Sequence, residues 1–354
     1  MEETEVLIVG QGLAGTWLGY WLHQAGISFR VIDKPDPEGA SLRAAGLINP
    51  VTGRRMVTTW MIDELLPFAM KAYEELGVFL DQTLIDDISV IDFFPTVQML
   101  QAFQKRFDQD PAWLSRGDDR EKYASWFRYE LGWGEIKPCP LVNVEKLLTS
   151  WRDWLRENGT LTESAFDLSN LRIKNRGIDY SDIQARYIIF CDGKSSALNP
   201  YFDKLPFALN KGEGLLVEIK GLPKNLVFKK GMSLVPYREN TFWLGSSYEW
   251  SFENDLPSET FRLQTENWLK HFLKLPYHIL EHFAAIRPAT LERRPFVGFH
   301  PAYPQIGILN GLGTKGCSLA PYFARQLADY LRERKEINPL ADIKRFEKIL
   351  ARQM

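Results

Sequence analysis

Apolar and polar positions change in blocks along the chain, and the opening block is the most regular. Glu5-Val6-Leu7-Ile8-Val9 is a short apolar run of the kind buried on both faces of a sheet. A turn at Gly10 to Gly15 follows, then a helix over 13–24 that Gly26 stops. A second apolar strand covers 29–32 and ends at Asp33. Such a strand–helix–strand opening builds parallel sheet. Polar, Gly- and Pro-bearing sequence occupies 34–55, and a helical pattern covers 60–76. The texture changes over 81–137, with strand-like runs at 85–94, a polar helix at 97–107 and then aromatic loops, which reads as an insertion. A helix is predicted over 144–157, with Asn143 as its N-cap and Gly159 closing it, then strands over 171–180 and 185–192. Alternation with turns at Gly212, Gly221 and Gly231 predicts antiparallel sheet over 207–248. A helix over 257–273, strand-like sequence around a polar turn over 287–299, a strand over 306–309 and a closing helix over 314–331 complete the pattern.

The first turn carries chemistry. Gly10-Gln11-Gly12-Leu13-Ala14-Gly15 follows a strand, opens a helix, and meets an acid, Asp33, at the end of the next strand. That is the dinucleotide fingerprint, with its acid about 20 residues on. Gly10 permits the tight turn, Gly12 lets backbone N–H groups approach a pyrophosphate, and Gly15 lets the helix pack against the strand. The helix N-terminus offers partial positive charge to phosphates, and Asp33 can accept hydrogen bonds from a ribose diol. NAD and FAD both use this turn, so it does not separate them.

Bulk properties narrow the picture only in places. With 354 residues, two domains are expected. Lys plus Arg total 43 and Asp plus Glu 45, a net charge of −2, so the basic excess of a nucleic-acid binder is missing. The basic residues after Arg325 are interrupted by acids and read as a solvated helix face. Aromatic residues reach 13%, with 11 Trp, enough to fill a core and line a pocket. Cys139, Cys191 and Cys317 form no CxxC and cannot all pair, which fits a reducing cytoplasm. No signal peptide is read at the N-terminus, and no apolar run reaches the roughly 18 residues of a membrane helix.

Further motifs fall in the order found in one family. Ser41-Leu42-Arg43-Ala44-Ala45-Gly46-Leu47, the run from Tyr187 through Cys191-Asp192-Gly193 to Ser196, the segment from Ala284 through Arg287-Pro288 to Thr290, and the glycine-rich stretch from Gly311 to Pro321 succeed one another. With the N-terminal turn, they resemble the D-amino-acid-oxidase-like superfamily of FAD oxidoreductases, which includes glycine and sarcosine oxidases. They are also similar to the FAD domain of the bifunctional enzyme that matures the wobble uridine of tRNA through an aminomethyl intermediate. The resemblance covers most of the chain and implies an α/β fold, α+β overall. A Rossmann-like FAD/NAD(P)-binding domain from 1–80, 140–205 and 290–354 would receive an inserted antiparallel-sheet substrate domain from 81–139 and 206–289.

The resemblance implies noncovalent FAD. Its contacts would be Gly10, Gly12, Leu13, Ala14, Gly15, Asp33, Lys34, Ser41, Arg43, Ala44, Ala45, Gly46, Ala165, Phe166, Cys191, Asp192, Gly193, Leu312, Gly313, Thr314, Lys315 and Gly316. Small residues before the closing helix let the chain pass close to a flat ring, and the helix N-terminus then faces the ring edge. Lys315 would add charge there, or it is an exposed lysine pointing away. Three departures stand out. Trp17 sits where Gly or Ala is frequent, Asp33 stands where Glu is commoner, and Cys317 lacks the context of a covalent flavin linkage.

Arg287 matches the family's substrate-binding arginine, whose planar fork would bond both oxygens of a carboxylate; the alternative is a structural salt bridge. Tyr248 falls where the family places active-site residues, or it is an ordinary cross-strand aromatic. Tyr237, Trp243 and the pair Arg54-Arg55 are weaker candidates. His278 and His282 are four apart on a possible helix, without a third metal ligand. The implied reaction oxidises the C–N bond of a small amino acid or N-substituted glycine. A hydride passes from the carbon beside an unprotonated amine, and the imine hydrolyses. That scheme needs few protein groups. The alternatives are processing of a carboxymethylaminomethyl-type tRNA base and a flavin-holding protein without turnover. The balanced charge argues against tight RNA binding, and the methyltransferase half of the tRNA enzyme has no counterpart here.

Overall fold

The computed structural model describes residues 2–351. Two eight-stranded sheets organise it. In the first, Leu161–Thr162, Phe29–Ile32, Glu2–Val9 and Ile183–Phe190 run side by side and parallel. The far edge of Ile183–Phe190 is shared by an antiparallel hairpin and by the parallel strand Ile306–Asn310, which pairs in turn with Phe296–Phe299. The apolar run at the start is buried on both faces, as its pattern requires. Val6 and Ile8 join the core under the helices Leu13–Gln24, Ile62–Leu80, Val144–Glu157 and Gly316–Glu333. Leu7 and Val9 join the opposite core with Ile178, Phe190, Phe202 and Ile343.

The second sheet runs His278–Arg287, Asn210–Glu218, Thr241–Gly245, Met232–Arg238, Leu226–Lys230, Ser89–Phe93, Trp133–Ile136 and Leu114–Arg116. All neighbours are antiparallel except Leu226–Lys230 with Ser89–Phe93, which run parallel. That junction joins the strands of the 81–139 region to those of 206–289. Lys229 and Asp92 pair in register across it, at 2.6 Å, with Asp92 fully buried. One face of the sheet packs on the helix Glu259–Phe272 through Leu215, Phe242, Leu244 and Phe228. The other face presents Trp243, Phe283 and Val235 toward the first sheet's loops.

Several local expectations are corrected. His278 to His282 is strand, not helix, because ladder bonds to Asn210–Glu218 decide the conformation. A four-residue spacing fits either element over so short a run. His278 is exposed, and His282 bonds Glu213; among the described residues no cluster of His, Cys, Asp or Glu could hold a metal. Gly212 is not a turn but lies inside the strand Asn210–Glu218. The strand carrying Arg287 ends there, and sequence up to Phe296 is irregular. The 171–180 region is a hairpin of Leu171–Lys174 and Gly177–Tyr180. No helix among the described residues is long and apolar enough to cross a membrane.

Candidate active site

A cavity of about 1070 Å³ lies between the loops of the first sheet and the edge of the second. Its wall begins at the C-terminal end of Glu2–Val9, where ligands bind in open parallel sheets. Gly10 adopts φ +97°, and a Cβ there would meet the Cys191 carbonyl oxygen at 2.7 Å. Gly15 lies off the cavity wall and has a packing role, since a Cβ on it would sit 1.9 Å from the Gly10 carbonyl oxygen. Ser41 Oγ accepts from the Leu13 N–H at 3.1 Å, which ties the 41–47 loop to the start of the first helix.

Asp33 is doubly engaged. Its Oδ1 accepts from the Gln11 N–H at 2.9 Å, and its Oδ2 accepts from Arg152 Nη1 at 2.7 Å. The same Arg152 nitrogen donates to Gln11 Oε1 at 2.7 Å, and Gln11 Nε2 donates to the Leu148 carbonyl at 3.0 Å. Sequence reasoning missed Arg152 and Gln11. The arginine comes from the helix Val144–Glu157, and no local motif announces a partner so far along the chain.

The middle of the wall is Cys191-Asp192-Gly193. Asp192 accepts from Ser196 Oγ, and Asn310 Nδ2 donates to Ser196 Oγ and to the Gly193 carbonyl, both at 2.9 Å. No cation neutralises Asp192 among the described residues, and burial pushes its carboxyl up to about 6. Across the cavity the closing helix begins at Gly316, where a Cβ would touch Leu13 at 3.0 Å; the first and last helices thus pack together at the site. Leu312, Gly313, Thr314 and Gly316 line the cavity. Lys315 does not: its Nζ donates to Thr59 Oγ1 at 2.9 Å. Burial, then Arg293 and Arg294, push the Lys315 amine down to about 8. The backbone end of this helix, rather than the lysine, is what faces the cavity. Cys317 also lines it, with its thiol pushed up to about 12 by burial, so it stays protonated at neutral pH.

The second sheet supplies Gly212, Trp243, Ser246, Tyr248, Phe283, Ala285 and Arg287. Arg287 Nη1 donates to Asn210 Oδ1 at 2.7 Å and to the Ser247 carbonyl at 3.1 Å. Arg287 Cζ lies 4.8 Å from the ring of Tyr248, which is 58% exposed at the mouth. Tyr248 follows the strand Thr241–Gly245 and is not a cross-strand residue within it. Glu213, next to Gly212, pairs with the buried Lys211 at 3.6 Å; its Oε1 accepts from Ser258 Oγ at 2.7 Å and its Oε2 from His282 Nε2 at 3.0 Å, while its N–H donates to Ser247 Oγ. These contacts anchor the loop that bears Ser247 and Tyr248.

The other arginines on the wall have acid partners, as does Lys194; Lys34, which is exposed, has none within 4.0 Å among the described residues. Arg43 pairs with Glu38 and Glu281, Lys194 with Asp255, and Arg152 with Asp33 and Glu163. Arg287 has none within 4.0 Å among the described residues, and burial lowers its pKa. Arg54 and Arg55 sit exposed at the tip of the hairpin Val51–Thr52/Val57–Thr58, off the cavity wall. Ala165, Phe166, Lys34 and the run Arg43 to Gly46 all line the wall. Trp243 Nε1 donates to the Arg43 carbonyl at 3.0 Å, and Arg43 Cζ lies 5.0 Å from the Phe283 ring; these contacts join the two sheets' contributions.

Comparison with known proteins bears on the fold and the family. The glycine oxidase of Pseudomonas aeruginosa is 26% identical over 197 residues, 53% of this chain and 50% of that protein, so the match spans about half the length of this curated relative. The crystal structure of glycine oxidase from Geobacillus kaustophilus superposes with a TM-score of 0.81 at 18% identity, covering 96% of this chain and 98% of that one. L-proline dehydrogenase from P. horikoshii gives a TM-score of 0.79 at 15% identity, covering 98% of both chains. At these identities the structures establish a shared fold. A family model matches residues 5–330, and the chain belongs to the FAD dependent oxidoreductase (DAO) family.

Proposed function

We propose that this protein oxidises the C–N bond of a small amino acid or N-substituted glycine in the cavity between its two sheets. The observation that carries this reading is Arg287, a largely buried guanidinium on the cavity wall with no acid partner among the described residues. A desolvated cation without a counter-charge is costly. A carboxylate bound from the cavity would supply the missing charge and accept from the fork.

The residues present fit FAD. A Cβ at Gly10 or Gly12 would intrude on the cradle, at 2.7 Å from the Cys191 carbonyl oxygen and 2.9 Å from Ser41 Oγ respectively. The walls bring the dinucleotide fingerprint, the 41–47 loop and the N-terminus of the closing helix to one cavity. The N–H groups of Gly12 and Ala14, with Ser41 and Gly193, would hold the phosphates, Asp33 the ribose, and Leu312, Gly313, Thr314 and Gly316 the ring edge. Bound FAD supplies the two-electron acceptor. Arg287 fixes the substrate carboxylate and so orients the carbon beside the nitrogen. Tyr248 covers the guanidinium at the mouth and limits water, and Trp243, Phe283 and Ala285 form an apolar wall. No residue needs to act as a strong base if the amine enters unprotonated.

We assign 1–80, 140–205 and 290–354 to the FAD part and 81–139 and 206–289 to the substrate part; residues 1 and 352–354 of that division lie outside the described residues. Three free, buried cysteines fit a cytoplasmic protein. The test is to incubate the FAD-loaded protein with N-alkylglycines, D- and L-amino acids and simple amines, and to assay 2-oxo acid and released amine. Release from at least one carboxylate-bearing amine is expected. Release from none would remove the proposal.

A further inference from the structure

Gly212, whose alternating context predicts a turn, lies within the strand Asn210–Glu218, opposite Ala285. A glycine inside a strand weakens it and marks a place where another group must approach closely. Backbone freedom does not explain this one, because Gly212 lies outside the left-handed region. Space does. A Cβ at 212 would stand 1.8 Å from Arg287 Nη2, 2.0 Å from Cζ and 2.3 Å from Nη1. The guanidinium therefore lies directly on the Gly212 backbone. Asn210 Oδ1 and the Ser247 carbonyl hold Nη1 from one side, while Nε and Nη2 make no bond to the described residues.

We propose that Gly212 is a positioning residue for carboxylate capture: its missing side chain is the seat that keeps the Arg287 guanidinium down, with the Nε–Nη2 edge turned to the substrate. The inference rests on Arg287 being the carboxylate ligand. The three closest atoms to a Cβ at 212 all belong to the far end of one flexible side chain. The fold can therefore accommodate alanine by moving Arg287 alone. To reach ordinary contact at 3.4 Å, Nη2 must withdraw by about 1.6 Å. A withdrawal of that size breaks the 2.7 Å bond from Nη1 to Asn210 and re-aims the open edge. Displacements of about 1 Å at a reacting site cost up to about 100-fold.

Val217 provides the control. It lies on the same strand but is buried in the opposite core, with Phe261 and Leu269 of the helix Glu259–Phe272, and off the cavity wall. The experiment compares FAD-loaded wild type, Gly212→Ala, Val217→Ala and Arg287→Lys. It reads FAD content, the Kd of acetate from the flavin absorbance shift, and kcat and KM for a carboxylate substrate and its decarboxylated amine. Gly212→Ala is expected to raise the acetate Kd and the carboxylate KM by about 10- to 100-fold. The amine's KM and the FAD content should stay within about twofold, and Val217→Ala should leave the acetate Kd within the same margin. If Gly212→Ala leaves acetate binding intact while Arg287→Lys weakens it, the seat is refuted and the reading of Arg287 stands. If Gly212→Ala and Val217→Ala weaken it equally, the effect belongs to the strand and the inference also falls. If Arg287→Lys itself leaves acetate binding unchanged, the reading of Arg287 fails and this inference goes with it.

Discussion

Replacing Arg287 by lysine keeps a positive charge in the cavity and removes the planar fork. In the native protein Nη1 is occupied by Asn210 and Ser247, so capture falls to Nε and Nη2. A lysine ammonium that turns to Asn210 Oδ1 retains at most one direct bond to a carboxylate. Loss of one hydrogen bond between charged groups costs about 1.5–3 kcal/mol, which is about a 10- to 150-fold rise in Kd. The assay is the KM for a carboxylate substrate and for its decarboxylated amine, in wild type and Arg287→Lys. The carboxylate KM should rise by that factor and the amine's should not. FAD content should hold, because Gly10 to Leu13 and Asp33 lie elsewhere on the cavity wall. Equal loss with both substrates would refute the reasoning and make Arg287 a structural residue.

Other outcomes follow from the charges along the cavity. Asp192, with its carboxyl pushed up to about 6 by burial, is neutral below that pH and charged above it. FAD should then bind more weakly as pH rises through 6; Asp192→Asn should bind FAD about fivefold more tightly at pH 8, on the order of 1 kcal/mol, with a flat pH profile in a fluorescence titration. Lys315, pushed down from 10.5 to about 8, makes the folded apoprotein bind its proton less tightly than the unfolded chain does. Its charge therefore costs stability below pH 8, and the cost fades toward 10.5. Lys315→Met should stabilise the apoprotein by about 2 kcal/mol at pH 7, with an advantage over wild type that shrinks above pH 8 in urea melts. Arg152→Ala frees Asp33 Oδ2 and Gln11 Oε1, and should weaken FAD binding by about 1–2 kcal/mol in equilibrium dialysis while leaving the acetate Kd of the loaded protein unchanged.

The parts of the site that sequence made legible are local. Gly10, Gly12, Gly15 and Asp33 sit within one strand–helix–strand unit, where spacing and element type support each other. The 41–47 loop is legible only through its likeness to the family, and the 311–321 stretch through that likeness and through the small residues before the closing helix. Arg152 was silent because its partner Asp33 lies on another element 119 residues away. Gly212 was misread because an isolated glycine in an alternating run looks like a turn until the group lying on it is known. That group, Arg287, is far along the chain and meets Gly212 only through the pairing of Asn210–Glu218 with His278–Arg287. The histidine pair was given helical spacing for want of the same ladder. The start of the closing helix is marked by its small residues, whereas the direction of the Lys315 side chain depends on Thr59, which no motif contains.

The most direct test of the account is anaerobic. FAD-loaded protein is mixed, without oxygen or any other acceptor, with a carboxylate-bearing amine that passes the product assay and with its decarboxylated counterpart, and flavin absorbance is followed. Full bleaching by the carboxylate substrate is expected at a concentration at least about 10-fold below that required for the amine, which forgoes the whole carboxylate contact with Arg287. Bleaching by the amine at equal or lower concentration would contradict the role of Arg287, and a flavin that no amine bleaches would leave a protein that holds FAD without turning over.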